Sequence, residues 1–136
     1  MENEVILKKI ESLSNCIKRL EDKCPKNVDL LKKDIDLQDI INLNLERAVQ
    51  ISVDIASITI AEQDFKTAET MAGCFSVLEE NNIIDTDLSR KLQCSVGFRN
   101  ISVHEYQKID LDIIYDIITN SLENFKKFIQ AILELH

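Results

Sequence analysis

The sequence predicts an all-α fold, an up-and-down bundle of about five helices, on three observations. Glycine and proline number only 2 and 1 among 136 residues, so the turn residues that hairpins need are missing. Leu, Ile, Lys and Glu dominate, a composition that favours helices. Apolar residues recur at three- and four-residue steps rather than alternating. The length suits one core, so a single domain is expected across 1–136.

The first helix is expected over 3–23, where Ile6, Ile10, Leu13, Ile17 and Leu20 form one stripe. Pro25 ends it, because proline cannot continue a helix. A polar crossing through Asp34 follows. The second helix is expected over 36–62, with Asp36 as N-cap and Asp39 in its first turn. Apolar residues surround much of its circumference, which implies burial on two sides, one in the core and one at a dimer surface. A third helix is expected over 67–80, with Ala68, Met71, Ala72, Phe75 and Leu78 on one face, and Asn81-Asn82 stopping it. Asp85 or Thr86 caps a fourth, carrying Leu88, Leu92 and Val96. Asp110 caps a long fifth, with Ile114, Ile118, Phe125, Ile129 and Ile132 inward.

The net charge of −8 argues against a general nucleic-acid coat, while leaving room for a small basic cleft on an acidic body. The most apolar stretch, 51–61, is too short to span a bilayer and contains Asp54. The acidic start MENEV is unlike a signal peptide, so a cytoplasmic location is expected. Cys16, Cys24, Cys74 and Cys94 form no C-x-x-C pair, which favours reduced thiols over zinc or disulfides.

The chemistry concentrates in Gly97–Tyr106, GFRNISVHEY. Arg99 offers a planar, permanently charged fork that suits phosphate oxygens. His104 can exchange a proton near neutral pH. Tyr106 can donate a hydrogen bond or stack on a base. These are the parts for metal-free RNA cleavage: a base for the ribose 2′-hydroxyl and a cation for the charge on the phosphoryl oxygens. No carboxylate cluster with metal-site spacing lies nearby, so a two-metal nuclease is the weaker alternative. Taken alone, the same triplet also fits a helix-end histidine, a surface arginine and a half-buried tyrosine.

Helix geometry sets a problem. Residues five apart diverge by about 140° at about 100° per residue, so Arg99 and His104 cannot meet one phosphate from a single straight helix. Either the helix ends near Val103, or two chains supply the groups across a two-fold axis. Asn100, four residues before His104, can orient its imidazole.

The ten-residue stretch resembles the R-x4-H motif of the HEPN superfamily, in the R-x4-H-x-Y form of HepT-like toxins. The likeness extends over nearly the whole chain, through Asp36-Leu37-Gln38-Asp39, Leu43–Ala48 (LNLERA), Asp54-Ile55-Ala56 and Ile109-Asp110. It implies a homodimer with the cleft at its interface and metal-independent ribonuclease activity on cellular RNA, with tRNA a candidate. It also implies an MntA-like nucleotidyltransferase antitoxin that transfers AMP to the motif tyrosine, here Tyr106. No cofactor is needed for cleavage.

Arg47 and Asp54 each allow two readings. Arg47 is either in an ion pair with an acid on another helix or a second cation lining the RNA cleft, and Asp54 is read as structural. Glu105 is read as a solvated acid, Lys8, Lys9, Lys18 and Arg19 as a solvated face, and Tyr115 as packing. The expected enzyme is an endoribonuclease toxin: Arg99 and His104 are catalytic, Asn100, Tyr106 and Arg47 orient or bind substrate, and Tyr106 is the modification site. The alternatives are a non-catalytic HEPN-type subunit that docks a nucleotidyltransferase and a plain dimeric structural protein.

Overall fold

The computed structural model describes residues 2–104 and 109–135, with side chains for 4–102 and 109–135. Helices and short connections make up these residues, and no strand is present among them. The elements are α1 (Glu2–Lys23), α2 (Val28–Lys33), α3 (Ile35–Glu62), α4 (Met71–Glu80), α5 (Thr86–His104) and α6. The last comprises Leu111–Asp116, a π-helical turn Ile117–Ser121, and Leu122–Leu135.

The α1 stripe behaves as the sequence predicts: Ile6, Ile10, Leu13, Ile17 and Leu20 are all buried. It lies along α3 in the opposite direction, because Arg19 meets Asn44 while Lys9 meets Asp54. The expected polar crossing is instead the short helix α2. Asn27 caps it by accepting from Leu30 N at 3.0 Å, and Leu31 is fully buried.

Helix α3 starts one residue earlier than expected, and its cap is Asp34 rather than Asp36. Asp34 has extended backbone (φ −119°, ψ 97°), and its carboxylate accepts from Leu37 N at 3.0 Å. Asp36 sits in the first turn, where its charge faces the positive helix end. Most of the circumference of α3 is covered by its own chain, with Ile41, Leu45, Val49, Val53, Ile55 and Ile60 buried. Ser52 and Thr59 are buried too, and each donates its hydroxyl to the carbonyl four residues back, at 2.8 and 2.9 Å. What α3 leaves exposed is a narrow strip containing Ile40, Leu43 and Arg47.

Helix α4 begins at Met71, not at 67. Thr70 is extended and its hydroxyl accepts from Gly73 N at 2.9 Å. A Cβ on Gly73 would stand 2.8 Å from that hydroxyl, so glycine keeps the cap closed. Asn81 ends the helix and Asn82 turns the chain with φ 61°. Asp85 caps α5, accepting from Leu88 N at 2.8 Å, and Asp110 caps α6, accepting from Asp112 N at 2.9 Å. Tyr115 packs half-buried, and its hydroxyl also donates to the Pro25 carbonyl at 3.1 Å.

Phe75 on α4 and Phe128 on α6 are both 0% exposed and meet edge to face, with ring centroids 5.7 Å apart. Phe128→Ala should therefore destabilise the fold by about 3–5 kcal/mol, and Phe128→Leu by distinctly less. Urea unfolding followed by circular dichroism checks both, and a Phe128→Leu variant as stable as the parent would show that the ring contact contributes nothing of its own.

Candidate functional site

The site is built on the C-terminal end of α5. Leu92 and Val96 bury one side of that helix, and Ser89, fully buried, donates its hydroxyl to the Phe75 carbonyl at 3.3 Å. These contacts seat α5 against α4 and carry its last turns past Met71 and Glu46.

Arg99 is half-buried there, with Nη1 4.0 Å from the Met71 sulfur. Its Nε is buried and has no hydrogen-bond partner among the described residues. No carboxylate pairs with this guanidinium among the described residues, although the chain carries 24 Asp and Glu. A buried donor left unsatisfied is costly and uncommon. Three residues on, Ser102 is buried and donates its hydroxyl to the Glu46 carboxylate of α3. Glu46 and Met71 were not singled out from sequence, since both reach the motif from other helices. The nearest signal was a charged pair, Glu46-Arg47, inside an apolar stretch.

Helix α5 is described through His104, one residue past Val103, and the four residues that follow lie outside the described ones, so both alternatives stay open. Arg99 and His104 belong to one helix, five residues apart. Asn100 is exposed on the same helix, and Gly97 is exposed with open space where a Cβ would stand. The side chain of His104 and the whole of Glu105 and Tyr106 lie outside the described residues.

Of the two readings for Arg47, the ion pair is not met among the described residues. The residue is exposed on α3, on a strip of the helix that faces solvent rather than the core. Asp54 takes the structural role, 3.5 Å from Lys9 and accepting from Gln50 at 3.0 Å. Burial pushes the Cys16 thiol above its usual value, against the opposing pull of Arg19 and Arg47. All four cysteines are free. Among the described residues no group of three or more His, Cys, Asp or Glu could hold a metal ion, and no helix is long and apolar enough to cross a membrane.

The helix order, with its arginine and histidine at the end of α5, is that of a HEPN-type bundle. The chain belongs to the ribonuclease HepT-like family, whose model matches residues 13–132. It is 36% identical over 130 residues to the mRNA nuclease HepT of Shewanella oneidensis, covering 96% of this chain and 97% of that protein. Among solved structures it resembles a toxin–antitoxin with AMP-PNP at 33% identity, with a TM-score of 0.91 over 98% of this chain and 99% of the other. It also resembles a tri-AMPylated Shewanella oneidensis HEPN toxin in complex with MNT antitoxin. There the identity is 34% and the TM-score 0.89, over 97% and 98% of the two chains. Membership makes this protein a ribonuclease of the toxin–antitoxin class.

The Ser102–Glu46 bond fixes the end of α5 against α3. Ser102→Ala strips a half-buried carboxylate of its donor and should cost about 1–3 kcal/mol. The double variant Ser102→Ala/Glu46→Gln should recover part of that loss. Thermal unfolding of the parent, the two single variants and the double variant checks the coupling, and strictly additive losses would remove the bond from the argument.

Proposed function

We propose that this chain, one HEPN domain across 1–136, is a metal-independent endoribonuclease that works in the cytoplasm as a homodimer. The observation that carries the reading is the half-buried guanidinium of Arg99, which meets no carboxylate among the described residues and leaves its Nε without a hydrogen-bond partner there, in an otherwise acidic chain. Such a group is held ready for an anion, and a phosphodiester fits its fork. His104 withdraws the proton of a ribose 2′-hydroxyl, and that oxygen attacks the adjacent phosphorus. A 2′,3′-cyclic phosphate forms and the 5′-oxygen leaves with a proton. Arg99 stabilises the charge that builds on the phosphoryl oxygens. Asn100 orients the imidazole, and Tyr106 contacts substrate. Arg47, exposed and unpaired among the described residues, remains open as a second cation.

Because Arg99 and His104 share one helix, they diverge by about 140°. A two-fold pairing resolves this by setting Arg99 of one protomer beside the motif histidine of the other. The exposed Ile40 and Leu43 on α3 and Ile101 on α5 suit such an interface. Messenger RNA is the substrate class carried by the name of the Shewanella relative, and tRNA is the other candidate.

The cleavage test uses total RNA and total tRNA in EDTA. Parent protein should cleave. Arg99→Lys keeps the charge and loses the fork, so its rate should fall about a hundredfold, and His104→Ala should be inert. Mixing inert Arg99→Ala with inert His104→Ala should restore about a quarter of parental activity if each cleft draws on both chains. No restoration after verified subunit exchange removes the composite cleft, and a fully active Arg99→Lys removes the phosphate clamp.

The partner is an MntA-like nucleotidyltransferase antitoxin. Its reaction joins the Tyr106 phenol oxygen to the α-phosphorus of ATP, releasing pyrophosphate and a proton. The attached phosphodiester then occupies Arg99 in place of RNA and adds bulk and negative charge beside the cleft. Co-expression with the cognate nucleotidyltransferase should raise the mass by one or more AMP units mapping to Tyr106, with loss of cleavage and toxicity. Tyr106→Phe should escape the modification. An adduct on Tyr115 instead, or neutralisation without any covalent change, rules this mechanism out.

A further inference from the structure

A cavity of about 530 Å³ lies between α5 and the π-helical turn of α6. That is the size of a small-molecule site. Its apolar wall includes Leu92, Phe98 and Phe125, and Phe98 directly precedes Arg99, so one end of the cavity abuts the motif. Charge runs against the trend of the chain. Arg90, Lys91 and Lys127 line the cavity against one acid, Glu123, in a protein of net charge −8. Arg90 and Lys91 share Asp87 at 3.1 and 3.0 Å, whereas Lys127 has no ion pair among the described residues. The opposite wall is the π turn itself, through Ile117 and Ser121. Such turns are rare and concentrate at functional sites. An apolar, partly aromatic wall with cations is the arrangement that holds an unpaired nucleotide, base on the ring and phosphate on the charge.

We infer that this cavity is a nucleotide subsite, which holds one unpaired nucleotide of the RNA next to the cleavage site, its base against Phe98 and its phosphate against Lys127. The inference rests on the ribonuclease reading above and favours single-stranded segments, since a paired base must first unpair and unstack to enter.

Cys94 lines the same cavity and is exposed, whereas Cys16 and Cys74 are buried. Its alkylation by a maleimide, followed by mass mapping, reports occupancy independently of cleavage. Saturating adenosine or uridine 5′-monophosphate should slow Cys94 alkylation about tenfold in the full-length protein, and Lys127→Glu should abolish the protection. With single-stranded RNA the same variant should raise KM about tenfold while kcat changes far less, and Lys127→Arg should restore the parental value. An active enzyme whose Cys94 is unprotected, or whose Lys127→Glu variant keeps the parental KM, overturns the subsite and leaves the ribonuclease reading intact. Protection by free nucleotide without any change in KM also overturns it, by making the cavity a small-molecule pocket. A parent that cleaves no RNA overturns the ribonuclease reading instead, and the subsite with it.

Discussion

The burial of α3 is the constraint on which the remaining arrangement depends. This helix of 28 residues has α1 along one side and α4 and α5 against others. Its buried hydroxyls, Ser52 and Thr59, are satisfied within its own backbone, so at those positions the surrounding helices need bring only apolar surface. The few polar contacts that cross to it are correspondingly specific. Ser57 meets Cys74 at 3.4 Å towards one end, and Glu46 meets Ser102 towards the other. The second contact decides where the last turn of α5 lies, and with it the backbone of Arg99 and His104. The geometry of the proposed catalytic pair is thus set by packing of the central helix rather than by a loop.

The acidic surface gives the site its character. A body of net charge −8 repels an RNA strand at long range. In the proposed reading, attraction therefore comes from individual cations near the end of α5 acting over short distances. In such a field the balance at the cleft is small. One added phosphodiester would change it more than the same group would on a basic protein, which is the leverage that the proposed adenylylation would have.

Much of this was legible in the sequence, for identifiable reasons. The α1 stripe and the caps Asp85 and Asp110 are local signals, and each stands where its chemistry places it. Helix α2 was not legible, because in six residues only Leu31 is buried and no period can show. The start of α4 misled because Ala68 continues the apolar face, while the Thr70 cap ends that continuity. For Arg47 the sequence left two readings, because largely buried neighbours conceal an outward strip shared with Ile40 and Leu43. At the site, the spacing of Arg99 and His104 was readable. Met71 and Glu46 lie 28 and 56 residues from the groups they touch, beyond any local pattern.

The π-helical turn of α6 also bears on how the chain tolerates changes in length. A ring closed five residues on holds one residue more than an α-turn, so Ile117–Ser121 acts as slack within an otherwise rigid rod. Losing one residue there would tighten the rod into plain α-helix and leave Ile114 and Phe128 on their core-facing sides. The same loss anywhere else along α6 would rotate everything beyond it by about 100°. The final helix therefore carries its own expansion joint, at the wall of the cavity.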